Sequence, residues 1–303
     1  MLLRVFGGFL IGALLGCGGS TIDGRDGGMP DGAVPDGGSP PTRSLVVDVD
    51  WLKANLDDPN LQTVDTRGAS AFDVGRIPGA IRLRPEDLAM DQGGVPAQVA
   101  PSVRAEPVLR DAGLRNDSIV VVYGEPLEYD PARIVWTLRY YGHADVRYLD
   151  GGYPAWVEAG GAVAVEPPTT EASDYVITDT NENLRVTGDW VLSELGDAPY
   201  DMPSIQLVDA RSPGEYGDGR IPSALHVQWT SNLDAGFLRS KAEIQALHES
   251  FDPSETTVTY CQVGWRGSFA WLALTYLGYE DVRLYDGSWA EWGNPALGFP
   301  VEQ

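Results

Sequence analysis

The chain contains one unit of sequence written twice, and this duplication limits its possible folds more than any other feature. Each copy has, in the same order, an Asp-x-Arg segment, an Arg-Ile-Pro turn, a β-branched run, a helical run and an Asp-Gly segment near a tryptophan. The matching segments are 61–67 and 205–211, 75–80 and 219–224, 118–123 and 255–260, 138–147 and 274–283, and 150–156 and 286–292. So many matches in one order indicate a tandem duplication. We therefore expect two similar domains.

Within each copy, short β-branched runs alternate with helical patterns, which is typical of a parallel sheet covered on both faces. Residues 256–260 predict a buried strand, and residues 268–277 predict a helix that Gly278 ends. In the first copy, Pro131 suits the first turn of the equivalent helix, which should end at Gly142. The sequence therefore predicts an α/β fold with two domains, each a parallel sheet flanked by helices.

The boundaries of the two domains follow from the repeat and from the composition between the copies. We place the first domain at 44–166 and the second at 184–303. A proline pair and polar residues between them predict an interdomain linker at 167–183.

The first 43 residues predict a targeting signal and a tether. Residues 1–16 carry one positive charge and an apolar run too short to span a bilayer, as in a signal peptide. The run ends in Leu-Leu-Gly before Cys17, which resembles the lipobox of bacterial lipoproteins and implies that Cys17 is lipidated. A secretory signal with a chance cysteine is the alternative. Residues 17–43, rich in glycine and proline, then form a flexible linker. We expect a membrane-anchored lipoprotein of the cell envelope, facing the periplasm or the exterior.

The charge of the chain excludes some partners. Lysine and arginine total 21 against 44 aspartates and glutamates, for a net charge of −23, so a phosphate backbone would be repelled and no nucleic-acid partner is expected. The three histidines are scattered, and neither they nor the two cysteines have the spacing of metal ligands. We expect no metal and no cofactor.

The second copy carries a cysteine between a predicted strand and a predicted helix that starts near Gly267. A short loop there turns backbone N–H groups inward at the positive end of the helix, where they would stabilise a thiolate. We therefore predict that Cys261 is a nucleophile. The alternative is an inert buried cysteine. With Cys17 lipidated, Cys261 has no partner for an internal disulfide.

These segments together resemble the rhodanese superfamily over about residues 44–303. The segments are the Val-Asp-x-Arg strand, the Gly-Arg-Ile-Pro turn, the strand-cysteine-loop-helix unit and the Asp-Gly ending with its tryptophan. The tandem layout is similar to thiosulfate and 3-mercaptopyruvate sulfurtransferases, whose second domain carries the catalytic cysteine. The resemblance implies that Cys261 takes a sulfane sulfur from a small anionic donor and passes it to cyanide or a thiol.

Residues beside the cysteine are expected to bind the donor. Arg266 either attracts the anion or forms a salt bridge at the helix start, and Trp265 either walls the pocket or covers the core edge. Asp209 is expected to tie down loop backbone, while Arg211 either orients that loop or steers anions. The predicted substrate-binding residues are Gln262, Val263, Gly264, Trp265, Arg266, Gly267, Arg211 and Arg220.

The sequence departs from the family pattern at three places near the site. Arg220 stands where the family often has histidine, and Glu215 stands where these enzymes often have a substrate-binding arginine. The loop Cys-Gln-Val-Gly-Trp-Arg matches neither the thiosulfate loop Cys-Arg-Lys-Gly-Val-Thr nor the mercaptopyruvate loop Cys-Gly-Ser-Gly-Val-Thr. The sequence therefore leaves the choice between the two donors open, with thiosulfate favoured.

The first copy has Gly124 where the repeat places the cysteine. Its loop, residues 124–130, holds three acids and no nucleophile, so we predict a catalytically silent first domain.

Three alternatives to a sulfurtransferase remain. A phosphatase or arsenate reductase would need a longer C-x5-R loop, whereas Arg266 gives C-x4-R. A carrier that takes persulfide from a partner protein would share the same loop. A non-catalytic envelope scaffold is disfavoured by the intact loop of the second copy.

Overall fold

The computed structural model describes residues 44–166, 169, 171–200 and 203–303. The predicted signal peptide (1–16), the lipidation site Cys17 and the linker up to residue 43 lie outside the described residues. So do residues 167, 168 and 170 of the predicted interdomain linker.

The first copy folds into a parallel sheet with helices around it. Among its described residues the sheet has five strands in the order β1-β7-β6-β2-β3, and a separate antiparallel hairpin is formed by β4 and β5. The central strand β6 is buried because its β-branched residues face helices on both sides. The strands are β1 (Val46–Val47), β2 (Leu61–Asp65), β3 (Ile81–Arg82), β4 (Ala89–Gln92), β5 (Val95–Val99), β6 (Ile119–Tyr123) and β7 (Val146–Leu149); the helices are α1 (Val49–Asn55), α2 (Ala69–Val74), α3 (Ser102–Asp111), α4 (Asp130–Tyr140) and α5 (Gly152–Glu158).

The second copy repeats this arrangement. Its described strands form a parallel sheet in the order β10-β9-β13-β14-β8, with the hairpin β11-β12 beside it. The strands are β8 (Arg185–Val186), β9 (Gln206–Asp209), β10 (Leu225–His226), β11 (Leu233–Asp234), β12 (Phe237–Leu238), β13 (Thr257–Tyr260) and β14 (Val282–Tyr285); the helices are α6 (Gly188–Leu195), α7 (Pro213–Gly217), α8 (Lys241–Leu247), α9 (Trp265–Leu277) and α10 (Ser288–Trp292). The predicted α/β fold with two flanked parallel sheets is confirmed.

The two copies share one hydrophobic core. Helices α4 and α9 pack against each other, and a single cluster of buried side chains runs from Val122 and Trp136 in the first copy to Phe269 and Leu284 in the second. The segment 171–181 has no helix or strand, yet its Tyr175 belongs to this core. None of the helices in the described ranges has the length and apolar character needed to cross a bilayer.

The helix after the cysteine begins earlier than predicted. The sequence indicated a start near Gly267, whereas α9 begins at Trp265. The difference arises at Gly264, whose φ of +82° lets the backbone reverse sharply and enter the helix at the next residue. The helix ends as predicted, with Gly278 in a left-handed conformation after Leu277.

Candidate active site

Cys261 follows the last residue of β13, the central strand of the second sheet. In parallel α/β sheets, ligands bind beyond the carboxyl ends of the strands, and Cys261 occupies that position. The Cys261 N–H donates to Oγ of Ser288 at 3.1 Å, and the Cys261 carbonyl accepts from the Trp289 N–H at 3.0 Å. These bonds fix the start of the loop to the start of α10.

The start of α9 offers backbone donors to an anion. Its first backbone hydrogen bond joins the Ser268 N–H to the Gly264 carbonyl at 3.0 Å. The N–H groups of Trp265, Arg266 and Gly267 therefore have no acceptor within the helix. These unused donors lie at the positive end of a helix of 13 residues, where negative charge is stabilised. That these N–H groups surround the Cys261 sulfur as an anion cradle stays a prediction.

The side chain of Cys261 is fully buried, at 0% exposure, and contacts the shared core. A charged side chain is nevertheless close along the chain, since Arg266 is the second residue of α9. The pKa of Arg266 is raised above its ordinary value, mainly by its hydrogen bonds with Glu215 and further by Cys261. A cation near the loop favours a nucleophilic Cys261 over an inert buried cysteine.

Arg266 and Glu215 form a two-pronged salt bridge at the site. Nη1 and Nη2 of Arg266 each donate to a different carboxylate oxygen of Glu215, both at 2.7 Å. The same carboxylate accepts from the N–H and hydroxyl of Ser212. The hydrogen bonds from Arg266 lower the pKa of Glu215 to about 2, so this carboxylate is charged at neutral pH. Part of the positive charge of Arg266 is thus already neutralised within the protein.

The Arg211 side chain is buried and forms its hydrogen bonds with other groups of the protein. Its guanidinium donates to both carboxylate oxygens of Asp209 and, at 2.7 Å, to the Gly219 carbonyl. In the first copy Arg67 makes the same bonds to Asp65 and to the Gly75 carbonyl, although that copy has no cysteine. The shared arrangement favours loop orientation as the role of Arg211.

Arg220 is paired with the carboxylate of Glu302 near the end of the chain and lies over the Tyr216 ring. The described contacts of this arginine are therefore with protein side chains. A direct contact between the donor and either Arg211 or Arg220 stays a prediction.

The first copy contributes to the site through residues that sequence reasoning did not identify. Nε1 of Trp265 donates to the Ala97 carbonyl of the first-copy hairpin at 3.3 Å. The Tyr129 ring packs near Trp229 and Trp265, with centroid distances of 5.6 and 6.3 Å. Burial raises the pKa of Tyr129, and Asp130 and Cys261 contribute to this, so the hydroxyl is within electrostatic range of the sulfur. Only the alignment of loop 124–130 with the cysteine loop hinted at this proximity.

The equivalent loop of the first copy has no space for a cysteine. A Cβ at Gly124 would lie 2.5 Å from Oγ1 of Thr66 and 2.7 Å from Cγ of Pro131. The acids in this loop are partly desolvated, and burial raises the pKa of Asp130 to about 6 and also raises the pKa of Glu128. The silent character predicted for this copy therefore has a steric basis as well as a chemical one.

Among the described residues, no three His, Cys, Asp or Glu side chains come together in a way that could hold a metal ion.

Comparison with known proteins gives consistent matches over both copies. A family model described as the rhodanese-like domain matches residues 48–159 and 187–295. A putative thiosulfate sulfurtransferase, SseA of Mycobacterium tuberculosis, is 34% identical over 279 residues, covering 84% of this chain and 90% of the relative. The sulfur carrier protein TtuD of Thermus thermophilus is 31% identical over 278 residues, covering 85% of this chain and 96% of the relative.

A solved structure extends the similarity to three dimensions. The crystal structure of SseA from Escherichia coli, a 3-mercaptopyruvate sulfurtransferase, superposes with a TM-score of 0.73 at 25% identity. The match covers 81% of this chain and 99% of that one.

Proposed function

This chain belongs to the rhodanese family, and we propose that it is a thiosulfate sulfurtransferase that carries sulfur as a persulfide on Cys261. The donor is thiosulfate or a related compound such as 3-mercaptopyruvate, and the acceptor is a thiophile such as cyanide or a thiol. One observation carries the proposal. Cys261 stands between the central strand and the unused N–H groups of α9, where a thiolate and a persulfide are both stabilised.

The proposed reaction has two displacement steps. In the first, the Cys261 thiolate attacks the outer sulfur of thiosulfate, the sulfur–sulfur bond of the donor breaks, and sulfite leaves with the bonding pair. In the second, the acceptor attacks the outer sulfur of the persulfide, and Cys261 leaves as the thiolate. The Cys261 side chain carries one negative charge both as the thiolate and as the persulfide. The N–H groups of the loop and of the start of α9 therefore need little reorganisation between the two steps.

Access to the sulfur requires movement at the mouth of the site. Cys261 is fully buried, and the half-buried rings of Tyr129 and Trp265 pack against each other where the two copies meet. A donor reaches the sulfur only when such side chains shift, and their return shields the persulfide from water.

The proposal is tested by intact mass after incubation with thiosulfate. We expect a gain of one sulfur atom, located by peptide mapping on the fragment that contains Cys261, and its loss on addition of cyanide with release of thiocyanate. Absence of any gain with thiosulfate and with 3-mercaptopyruvate would rule out the proposed chemistry.

A persulfide carrier is the second candidate, favoured by the similarity to the Thermus sulfur carrier protein. The two candidates differ in turnover. An enzyme gives many thiocyanate molecules per chain with cyanide and no protein partner, whereas a carrier gives a single equivalent until a partner protein is added.

We further propose that the chain is anchored to a membrane of the cell envelope through a lipid on Cys17. The apolar run before Cys17 and the glycine-rich segment after it support this. The test is fractionation of cells: Cys17→Ser should move the protein from the membrane to the soluble fraction, and retention in the membrane would contradict the anchor.

Glu215→Gln is expected to lower the KM for thiosulfate roughly threefold to tenfold. This range corresponds to an interaction free energy of about 1 kcal/mol, which is typical of a partly exposed ion pair. The substitution removes a carboxylate that both occupies Arg266 and repels a dianionic donor. Steady-state kinetics at low salt measures the effect. Glu243→Gln is the matched control, because the exposed Glu243 also bonds back to a serine at a helix start but pairs with Arg239 instead. Equal KM values for wild type and Glu215→Gln would show that the pair does not limit donor binding.

A further inference from the structure

Two equivalent aspartates, one in each copy, accept hydrogen bonds across the interface between the copies. Asp150 and Asp286 begin the same Asp-Gly segment of the repeat, and each accepts a backbone N–H from the hairpin of the other copy. The Leu238 N–H donates to Asp150 at 2.8 Å, and the Val99 N–H donates to Asp286 at 2.8 Å. The duplication therefore produces two equivalent hydrogen bonds across the interface, each from a hairpin of one copy to an aspartate of the other.

The symmetry is broken by two arginines that pair with Asp286: the buried Arg133 of α4, and the partly exposed Arg185 of β8, whose Nε lies 3.4 Å from Oδ2 of Asp286. Nine residues before the glycine that follows each helix stands Arg133 in the first copy and Phe269 in the second. Arg133 is 1% exposed and forms an ion pair with the fully buried Asp286 at 2.8 Å. Phe269 instead packs its ring against Tyr148, so Asp150 receives no equivalent cation from it. Accordingly, burial raises the pKa of Asp150.

The extra arginine lies directly against the cysteine loop. A Cβ at Gly264 would be 2.8 Å from Oδ1 of Asp286 and 3.3 Å from Nη1 of Arg133, so the ion pair packs closely against this residue of the loop. Nη2 of Arg133 also reaches the Ala97 carbonyl at 3.4 Å, and the same carbonyl accepts from Trp265. Arg133 thus contacts the first-copy hairpin and Asp286, and it packs close to Gly264, the last residue of the loop. Through the Ala97 carbonyl it is also linked to Trp265, the first residue of α9.

We propose that Arg133, supplied by the copy without a cysteine, is a positioning residue that holds the Cys261 loop in its sulfur-accepting geometry. The inference deepens the proposed sulfurtransferase function and rests on it for its kinetic consequence. It also gives the silent copy a role: its buried cation fixes the backbone whose N–H groups receive the persulfide. Arg133 acts through Asp286 and the loop backbone, and it does not need to touch the donor.

The test compares persulfide formation in Arg133→Met, Asp286→Asn and Asp150→Asn with wild type. Both asparagine variants keep an oxygen that can accept the hairpin N–H, but only Asp286→Asn also loses the ion pairs with Arg133 and Arg185, whereas Arg133→Met removes the first pair alone. We expect Arg133→Met and Asp286→Asn to reduce the rate constant of persulfide formation on the order of 10-fold to 100-fold, because a small misplacement of a reacting group has an effect of this size. The KM for the donor should change by less than about twofold, and Asp150→Asn should behave as wild type. Arg133→Lys should recover much of the loss because it restores the charge.

A second readout does not depend on sulfur chemistry. Hydrogen–deuterium exchange in the peptide that covers residues 262–267 should be faster in Arg133→Met and unchanged in Asp150→Asn. If Arg133→Met does not fold, the double variant Arg133→Met/Asp286→Asn removes both charges of the buried pair and should still show the slow first step. It leaves Arg185 without its Asp286 partner, but that side chain is 24% exposed and reaches water.

Equal kinetics and equal loop exchange in the Asp286 and Asp150 variants would overturn the positioning role, as would a loss in Arg133→Met that appears only in the donor KM. Absence of persulfide in the wild type would instead remove the proposed function, while the exchange experiment would still decide whether Arg133 holds the loop.

Discussion

Cys261→Ser is expected to abolish sulfur transfer, with a loss of about 10³-fold or more, while the fold is retained. Loss of a covalent nucleophile removes the whole displacement pathway rather than one contribution to it. Serine is close to cysteine in size, so the buried position stays filled. Thiocyanate release from thiosulfate and cyanide measures the activity, and the thermal unfolding midpoint measures the fold.

Gly124→Cys in the Cys261→Ser background provides the control for position. The first copy has the same strand before this residue, but a Cβ at Gly124 would approach Thr66 and Pro131 too closely. The double variant is therefore expected to stay inactive, which would show that the surrounding loop, and not the thiol alone, makes the site. Residual transfer in Cys261→Ser itself would point to chemistry elsewhere in the chain.

Gly264→Ala is expected to lower the free energy of unfolding by about 2–5 kcal/mol and to remove activity in the folded fraction. A residue with a side chain at φ of +82° costs about 1–2 kcal/mol, and overpacking of a buried site costs about 1–3 kcal/mol more. The new methyl group would press on Asp286 at both its carboxylate and its carbonyl, 2.8 and 2.9 Å away. The loop would have to move, and with it the N–H groups around Cys261. Denaturant unfolding and thiocyanate release measure the two effects.

Gly94→Ala separates the strain from the clash. Gly94 has a φ of +83°, nearly that of Gly264, but no atom lies within 4 Å of the position of its Cβ. We expect it to lose only the conformational part, about 1–2 kcal/mol. Similar losses in both variants would mean that the ion pair of Arg133 and Asp286 does not pack against the loop as described.

The strand and helix of the second copy could be predicted well from the sequence, because the residues that specify them are neighbours in the chain. A β-branched run, a cysteine and a glycine-ended helical run follow one another without a gap, so residues 256–278 were read nearly as they fold. The error in the helix start came from Gly264, since the left-handed conformation of one glycine is not visible in a hydrophobic pattern.

Long-range contacts explain the residues whose roles could not be chosen from the sequence. Arg266 is predicted either to bind the donor or to form a salt bridge, and the fold pairs it with Glu215, 51 residues away. Arg211 could orient a loop or steer anions, and its bonds to Asp209 and Gly219 favour the first role. Such choices depend on distances between elements that no local pattern encodes.

The duplicated motifs by themselves determined the α/β class and the two copies, and they predict the nucleophile and the silence of the first copy, because each depends on which residue follows which along one strand, loop and helix. Only the tertiary structure decided that Arg133 and Ala97 of the silent copy reach the Cys261 loop. The physical reason is that packing of α4 on α9 brings together side chains far apart in the chain, and it buries Arg133, a residue type usually found at the surface, against Gly264 of the Cys261 loop.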